Sequence, residues 1–276
     1  MTFKTIIAIL GVSNADADLE HATSLANDTN SHLSVAIVRS AIPPLGENYP
    51  VASAWLDERD KEIEELTVVR QKADDLLRKE GVSYEVDSLY GDLYVLQSEI
   101  RLRAMYADLV LAGQGVRSNA GLRKAVVAAA AFHADTPILL MPESGTTSLS
   151  PKTVMLAWNS KPEAVNAAKA ALSMLKSAEN THVVLVDPDS SYFKNGGEPG
   201  ADIATFLARH GVSTTVEQLA SGERRTADVL RQHALEIGCD MIVMGAYGHP
   251  RILEQIFGGV TESIIEECKV PVFLAR

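Results

Sequence analysis

Residues 241–261 hold the densest set of groups suited to binding chemistry. The apolar run Met241 to Met244 ends at Gly245, Gly248 follows, and after nine further residues a glycine pair, Gly258 and Gly259, opens an apolar-periodic segment that begins with Val260 and Thr261. This reads as strand, loop and helix start. Glycines in such a loop let backbone amides turn inward with no Cβ in the way, and amides at a helix N-terminus form a concave site for phosphate. The same glycines also suit a tight turn and a close helix–strand contact. The elements that position them decide between the two.

Those elements emerge from an internal repeat. Lys4-Thr5-Ile6-Ile7 recurs as Lys152-Thr153-Val154-Met155, an offset of 148, and His32-Leu33-Ser34-Val35 pairs with His182-Val183-Val184-Leu185 at 150. Gly81-Val82-Ser83 recurs at Gly211 (offset 130), Asp108 to Gly113 matches Asp240 to Gly245 (132), and Pro137 matches Pro271 (134). Matches in one order mean two copies of one domain, with the extra length of the first between residues 41 and 80. Each copy alternates short aliphatic runs with helix-period segments, the pattern of an α/β fold with a five-stranded parallel, Rossmann-like sheet. Strands are expected near 4–10, 32–39, 83–89, 108–113 and 137–141, then near 153–158, 182–187, 213–219, 241–245 and 271–275. Helices fall near 15–28, 54–80, 93–106 and 121–134, then near 162–176, 201–210, 224–237 and 258–268. The long helix carries an apolar stripe of Leu56, Ile63, Leu66, Ala73, Leu76 and Leu77 amid charges read as a solvated face. Domain boundaries follow: 1–142, a small polar linker over 143–151, and 152–276. Residues 190–200 read as a loop suited to covering a ligand.

Composition narrows the function. A net charge of −11 and a pI near 5.1 disfavour a nucleic-acid or anionic-membrane partner, and 46% hydrophobic residues supply ample core. Cys239 and Cys268 are too few and too far apart for a disulfide framework or a zinc site, so a reducing, cytoplasmic setting and inert buried thiols are expected.

The glycines on the spacing Gly245-x2-Gly248-x9-Gly258, closing a second five-stranded copy that ends in Val270-Pro271-Val272, resemble the universal stress protein family, as a tandem two-domain member. The resemblance implies strand order 3-2-1-4-5 and an adenine nucleotide, ATP or ADP with or without Mg, at the point where that order reverses. It also implies the site residues: Ala157, Trp158 and Asn159 after the first strand of the second copy, Leu185 and Val186 at the adenine after the second, Met244 from the fourth, and Gly245, Gly248, Gly258, Gly259, Val260 and Thr261 at the phosphates. Two positions depart from the family pattern. Gly259 stands where relatives have Ser or Thr, and Asn159 stands where they usually have Asp. In the first copy only Gly113 matches the motif, Val116 replaces the second glycine, and Ala128 to Ala131 fill the helix without a glycine pair, so that copy is expected to bind nothing.

Enzymatic signatures are absent: there is no Gly-x4-Gly-Lys-(Ser/Thr), Gly-x-Ser-x-Gly, His-Glu-x-x-His or Cys-x-x-Cys. At most slow ATP hydrolysis is expected. The seven histidines are scattered with no ligand pair at helical spacing and read as structural or surface residues, so no metal site is expected. Two functions remain. One is a nucleotide-binding stress protein that controls conformation or partners, with a homodimer and further protein partners anticipated. The other is a stress-family scaffold that binds no nucleotide and acts by protein contacts.

Overall fold

The computed structural model describes residues 3–41, 49–142, 147–188, 198–246, 259–267 and 269–276. The chain divides into two compact units, Phe3–Ile138 and Leu139–Arg276, and each repeats the same α/β order. In the first, β1 (Thr5–Gly11), α1 (Ala15–Thr29), β2 (His32–Ser40), α2 (Tyr49–Glu80), β3 (Tyr84–Gly91), α3 (Leu93–Ala104) and β4 (Leu109–Ala112) are followed by α4 (Gln114–Arg117) and α5 (Ala120–Val127), and β5 (Ile138–Leu140), which closes this copy of the order, straddles the boundary. The second holds β6 (Thr153–Ala157), α6 (Pro162–Ala170), α7 (Leu172–Ser177), β7 (Asn180–Val186), α8 (Ala201–Arg209), β8 (Thr214–Leu219), α9 (Thr226–Glu236), β9 (Met241–Gly245), α10 (Gly259–Glu267) and β10 (Val272–Ala275).

Strand order is β3-β2-β1-β4-β5 in one unit and β8-β7-β6-β9-β10 in the other. Both follow the expected order 3-2-1-4-5, and the pairs β1–β2, β2–β3, β1–β4, β6–β7, β7–β8, β6–β9 and β9–β10 are parallel. The central strands have helices on both faces, so they are apolar throughout: Ile6 to Leu10, Leu109 to Ala112, Val154 to Leu156 and Met241 to Val243 are all essentially inaccessible. Helix starts follow local chemistry. The Asp92 carboxylate accepts from the amides of Tyr94 and Val95 to cap α3, Asn119 does the same for Leu122 at α5, and Pro162 opens α6.

One clamp occurs in both units. Asp108 Oδ2 accepts from the amides of Lys4 (2.7 Å) and Thr5 (2.9 Å), and Asp240 Oδ2 accepts from those of Lys152 (3.0 Å) and Thr153 (2.9 Å). Each ties the residues just before the fourth strand of its unit to the start of the first. The two strands beside the reversal of strand order therefore begin in a fixed register, Ile6 against Leu109 and Val154 against Met241.

Three expectations need correction. The buried face of α2 runs through Glu62, Leu66, Ala73 and Leu77, whereas Leu56 (42% exposed) and Ile63 (39%) face solvent. The stripe is rotated because Glu62 is held inside: Arg39 pairs with it at 3.0 Å and Tyr90 donates to it at 2.8 Å. Burial and the hydrogen bond to that carboxylate push the Tyr90 hydroxyl up to about 12. The helix expected over 121–134 also changes character, since a π-helical turn over Ala128–His133 follows α5, with Ala134 donating to Ala129. Its four alanines are buried and too small to crowd the widened turn. Finally, the helix near 162–176 is divided into α6 and α7 at Ala171.

No described helix is long and apolar enough to cross a membrane. Most of the linker core, residues 143–146, and most of the 190–200 loop lie outside the described residues, as do His249, Arg251 and Cys268. Cys239 is buried and its thiol donates to the Met241 carbonyl at 2.9 Å.

Because the clamp accepts two amide hydrogen bonds at an exposed position, Asp240→Ala is expected to cost about 1 kcal/mol. Asp108→Ala is expected to cost a similar amount, measured by urea unfolding, because the geometry is the same in both units.

Candidate functional site

In the second unit a cavity of about 340 Å³ opens at the carboxyl ends of β6 and β9, beside α9 and the start of α10. That volume is in the range of small-molecule sites, about 300–1,000 Å³. The register that pairs Ala157 with Met244 places both on its wall, with Gly245 next in line. Trp158 and Asn159 come from the loop after β6, Val184 and Val186 from β7, and Gly259, Val260 and Thr261 from the first turn of α10. Lys161, Thr226 and Leu230 complete it.

Of the residues predicted from sequence, Ala157, Trp158, Asn159, Val186, Met244, Gly245, Gly259, Val260 and Thr261 are thus brought together. Gly248 and Gly258 lie outside the described residues. Leu185 is not in the cavity: side chains alternate along a strand, so with Val184 and Val186 facing the cavity, Leu185 points to the other face of the sheet, 2% exposed. That alternation, applied to β7, also identifies Val184, which the sequence reading missed. Thr226 and Leu230, four residues apart on one face of α9, carried a helical-period signal that was equally consistent with plain core.

Local bonds set the walls. Trp158 donates its amide to the Val184 carbonyl at 2.9 Å, extending the β6–β7 ladder by one residue. Asn159 Oδ1 accepts the Lys161 amide at 3.1 Å, across a Ser160 held at φ 61°, so this side chain shapes the turn into α6. At the end of β7 the Asp187 carboxylate accepts the Ser221 amide at 3.0 Å, and hydrogen bonds from Ser221 hold it below the usual carboxylate range. Arg231 pairs with both Asp228 and Glu267, joining α9 to α10; hydrogen bonds from Arg225 and Arg231 hold the Asp228 carboxyl low, and one from Arg231 holds that of Glu267 low.

Two glycines of the motif have separate reasons. A Cβ at Gly245 would lie 2.7 Å from the Glu163 carbonyl carbon and 2.8 Å from the Ala164 nitrogen, so this glycine lets α6 pack against β9. Among the described residues nothing lies within 4 Å of such a Cβ at Gly259, at the N-terminus of α10.

The first unit is built differently at the corresponding place. Asp18, on α1 and 3% exposed, accepts from the amides of Gln114 (2.9 Å) and Gly115 (3.1 Å). The loops after β1 and β4 also meet backbone to backbone, since a Cβ on Gly11 would lie 2.8 Å from the Gly115 carbonyl carbon. The buried pattern Ala15, Asp18, Leu19, Ala22 of α1 repeats as Ala164, Ala167, Ala168, Ala171. Ala167 therefore occupies the place of Asp18 and offers no acceptor.

The sequence model of the universal stress protein family matches residues 109–276, more than half of the chain. The chain belongs to the universal stress protein family. A universal stress protein structure from Archaeoglobus fulgidus DSM 4304 is similar to it with a TM-score of 0.68 at 20% identity, over 98% of this chain and 96% of that one. A putative universal stress protein from Pseudomonas aeruginosa UCBPP-PA14 is similar with a TM-score of 0.62 at 15% identity, over 99% and 93%. At such identities the likeness establishes the shared fold. Another universal stress protein, 19% identical over 52% of this chain and 100% of its own with a TM-score of 0.32, was solved in complex with cAMP. No curated protein matches the chain in sequence.

Gly245→Ala forces a Cβ into the backbone of α6 and is expected to destabilise this stress protein by about 1–3 kcal/mol in chemical unfolding. Burial pushes the Asp18 carboxyl up against the opposing pull of the Gln114 and Gly115 amides and of His21. A folded-state value above the unfolded one means that folding favours the proton here, so stability declines as pH rises through the two values and is recovered below them. Asp18→Asn should remove that slope from a series of unfolding curves between acid and neutral pH.

Proposed function

We propose that the second unit binds an adenine nucleotide, ATP or ADP with or without Mg, in the cavity between β6, β9, α9 and α10, and that occupancy acts in a stress response by controlling conformation or partner choice. The carrying observation is the contrast between units. In the first, Asp18 takes the amides that follow β4 and the loops close on one another; in the second, Ala167 replaces Asp18 and a cavity stands open at the N-terminus of α10. A helix N-terminus favours an anion, and Lys161 adds a cation at the wall. Val184, Val186, Met244 and Leu230 give the apolar surface that a planar base needs. The residues present thus fit a nucleotide whose phosphates lie toward Gly259, Val260 and Thr261. In this reading residues 1–142 form a degenerate partner domain, 143–151 a linker and 152–276 the binding domain, within a cytoplasmic homodimer.

The second reading is a scaffold without nucleotide. Two observations favour it: Gly259 offers no hydroxyl, and Asn159 Oδ1 is already engaged by the Lys161 amide. Calorimetric titration of ATP and ADP, with mass analysis of small molecules released on denaturation, separates the two. One nucleotide per chain is expected. Val260→Glu puts a carboxylate at the phosphate end of the cavity and should weaken binding at least about tenfold by charge repulsion. Gly259→Ser meets none of the described residues within 4 Å and should strengthen it. Two nucleotides per chain would refute the asymmetry, and no binding would establish the scaffold.

A further inference from the structure

Beyond the cavity, the groove between α9 and the sheet holds a second group of polar side chains. On β7, His182 precedes Val184 by two residues and so shares the face that lines the cavity. On α9, His233 follows Leu230 by three residues and so shares the face of Thr226 and Leu230. Glu217, from β8, stands between the two histidines. Its Oε1 is 2.5 Å from His182 Nδ1 and its Oε2 is 3.0 Å from His233 Nε2. One ligand atom from each of the three residues lies within 4.8 Å of the others.

From this convergence we infer that His182, Glu217 and His233 form a divalent metal site, selective for zinc-like ions. Three observations carry the inference. Two imidazoles and one carboxylate are a borderline donor set that suits Zn²⁺ and disfavours Mg²⁺ or Ca²⁺, which seek oxygen. Zinc bond lengths of about 2.0–2.2 Å put tetrahedral ligands about 3.3 Å apart, so the two histidine–Glu217 contacts, 2.5 and 3.0 Å, need to open by less than about 1 Å to take the ion, while the two imidazole nitrogens already lie within 4.8 Å. The third is the state of His233. This residue is only 9% exposed, and its Nε2 is inaccessible and makes no hydrogen bond among the described residues, although the Glu217 oxygen is 3.0 Å away. A nitrogen and an oxygen in contact but not aligned as donor and acceptor is the arrangement of two ligands whose lone pairs converge on one point. A buried polar atom left in this state costs free energy that a bound cation removes.

Glu236 completes the surroundings. Its carboxylate lies 3.6 Å from His233 Nδ1, on the ring nitrogen that faces away from the trio. Carboxylates at that place orient metal-bound imidazoles and raise their basicity. With three protein ligands the fourth position is open to water, which a small anion could replace. The metal would join β7, β8 and α9, and so fix the helix that supplies Thr226 and Leu230 to the cavity. The three ligands are 35 and 16 residues apart in the chain, on three different elements. No local motif announces them, which is why the histidines read as scattered in the sequence.

The test uses the full chain, stripped with a chelator and free of nucleotide, so that it stands apart from the proposal for the cavity. ZnCl2 is titrated against a chromogenic competitor, and CoCl2 is added in parallel to read coordination from visible absorption. One zinc per chain, an intense tetrahedral-type cobalt spectrum and a zinc-dependent rise in Tm are expected. Glu217→Gln and His182→Asn should each weaken zinc at least about a hundredfold and abolish the Tm response, and Glu236→Gln should weaken it about 10–100-fold. The intact protein gives the answer even if a variant fails to fold. Absence of stoichiometric zinc binding, an unaltered Tm, or affinity unchanged in Glu217→Gln would overturn the site and leave a metal-free carboxylate–imidazole cluster.

Discussion

The cavity exists where it does because β6 and β9 are held in one register. The constraint is applied at the other end of the strands, where the Asp240 carboxylate accepts the amides of Lys152 and Thr153. A parallel ladder offers no hairpin to set its alignment, and a slip of one residue would exchange the two faces of each strand. With Val154 fixed against Met241, the last pair is Ala157 and Met244, and the chain leaves both strands at the same height. The order of the strands reverses at this pair. This is the reason a ligand crevice forms at such a point in open α/β sheets. The equivalent clamp, Asp108 with Lys4 and Thr5, fixes β1 and β4 in the same way, yet the first unit has filled the space above them.

How that filling works bears on what a duplicated domain does with a spare site. Amides that converge at a helix start need an acceptor, supplied by ligand, water or protein. Asp18 is an internal supplier. Its carboxyl is pushed up by burial even though two amides favour its charge, so the arrangement retains a cost that an alanine at the same place would not have. Gly11 and Gly115 close the remaining gap, backbone against backbone. In the first unit Asp18, Gly11 and Gly115 thus occupy this place from within the protein, while in the second the described residues leave a cavity between Trp158, Asn159 and the start of α10.

Most of this architecture was legible in the sequence because hydrophobic periodicity and the internal repeat report on burial, and burial fixes the order of elements. The cavity wall was partly legible for the same reason: Ala157, Met244 and Gly245 sit at strand ends, and strand ends are visible. What stayed hidden depends on direction within an element. Assigning Leu185 to the site ignored that Val184 and Val186 must share a face, and assigning Leu56 and Ile63 to the buried stripe of α2 ignored that Glu62 could be taken inside by Arg39 and Tyr90. A polar residue on a buried face is invisible to hydrophobic counting. The trio of His182, Glu217 and His233 was hidden more deeply, since its members come from separate elements and only the fold brings them together.

The glycine motif itself separates into structural and functional parts. Gly245 must be glycine for the fold, because α6 lies against its Cα and a methyl group would meet the backbone of Glu163 and Ala164. Its presence therefore says that a helix packs here and, taken alone, nothing about phosphate. Gly259 is the opposite case: none of the described residues lies within 4 Å of a Cβ placed there, so their packing does not demand glycine. In the proposed nucleotide reading, a glycine at 259 would leave the amides at the start of α10, the Thr261 hydroxyl and Lys161 as the groups able to meet an anion, so that recognition would rest more on the helix N-terminus than on side-chain hydrogen bonds.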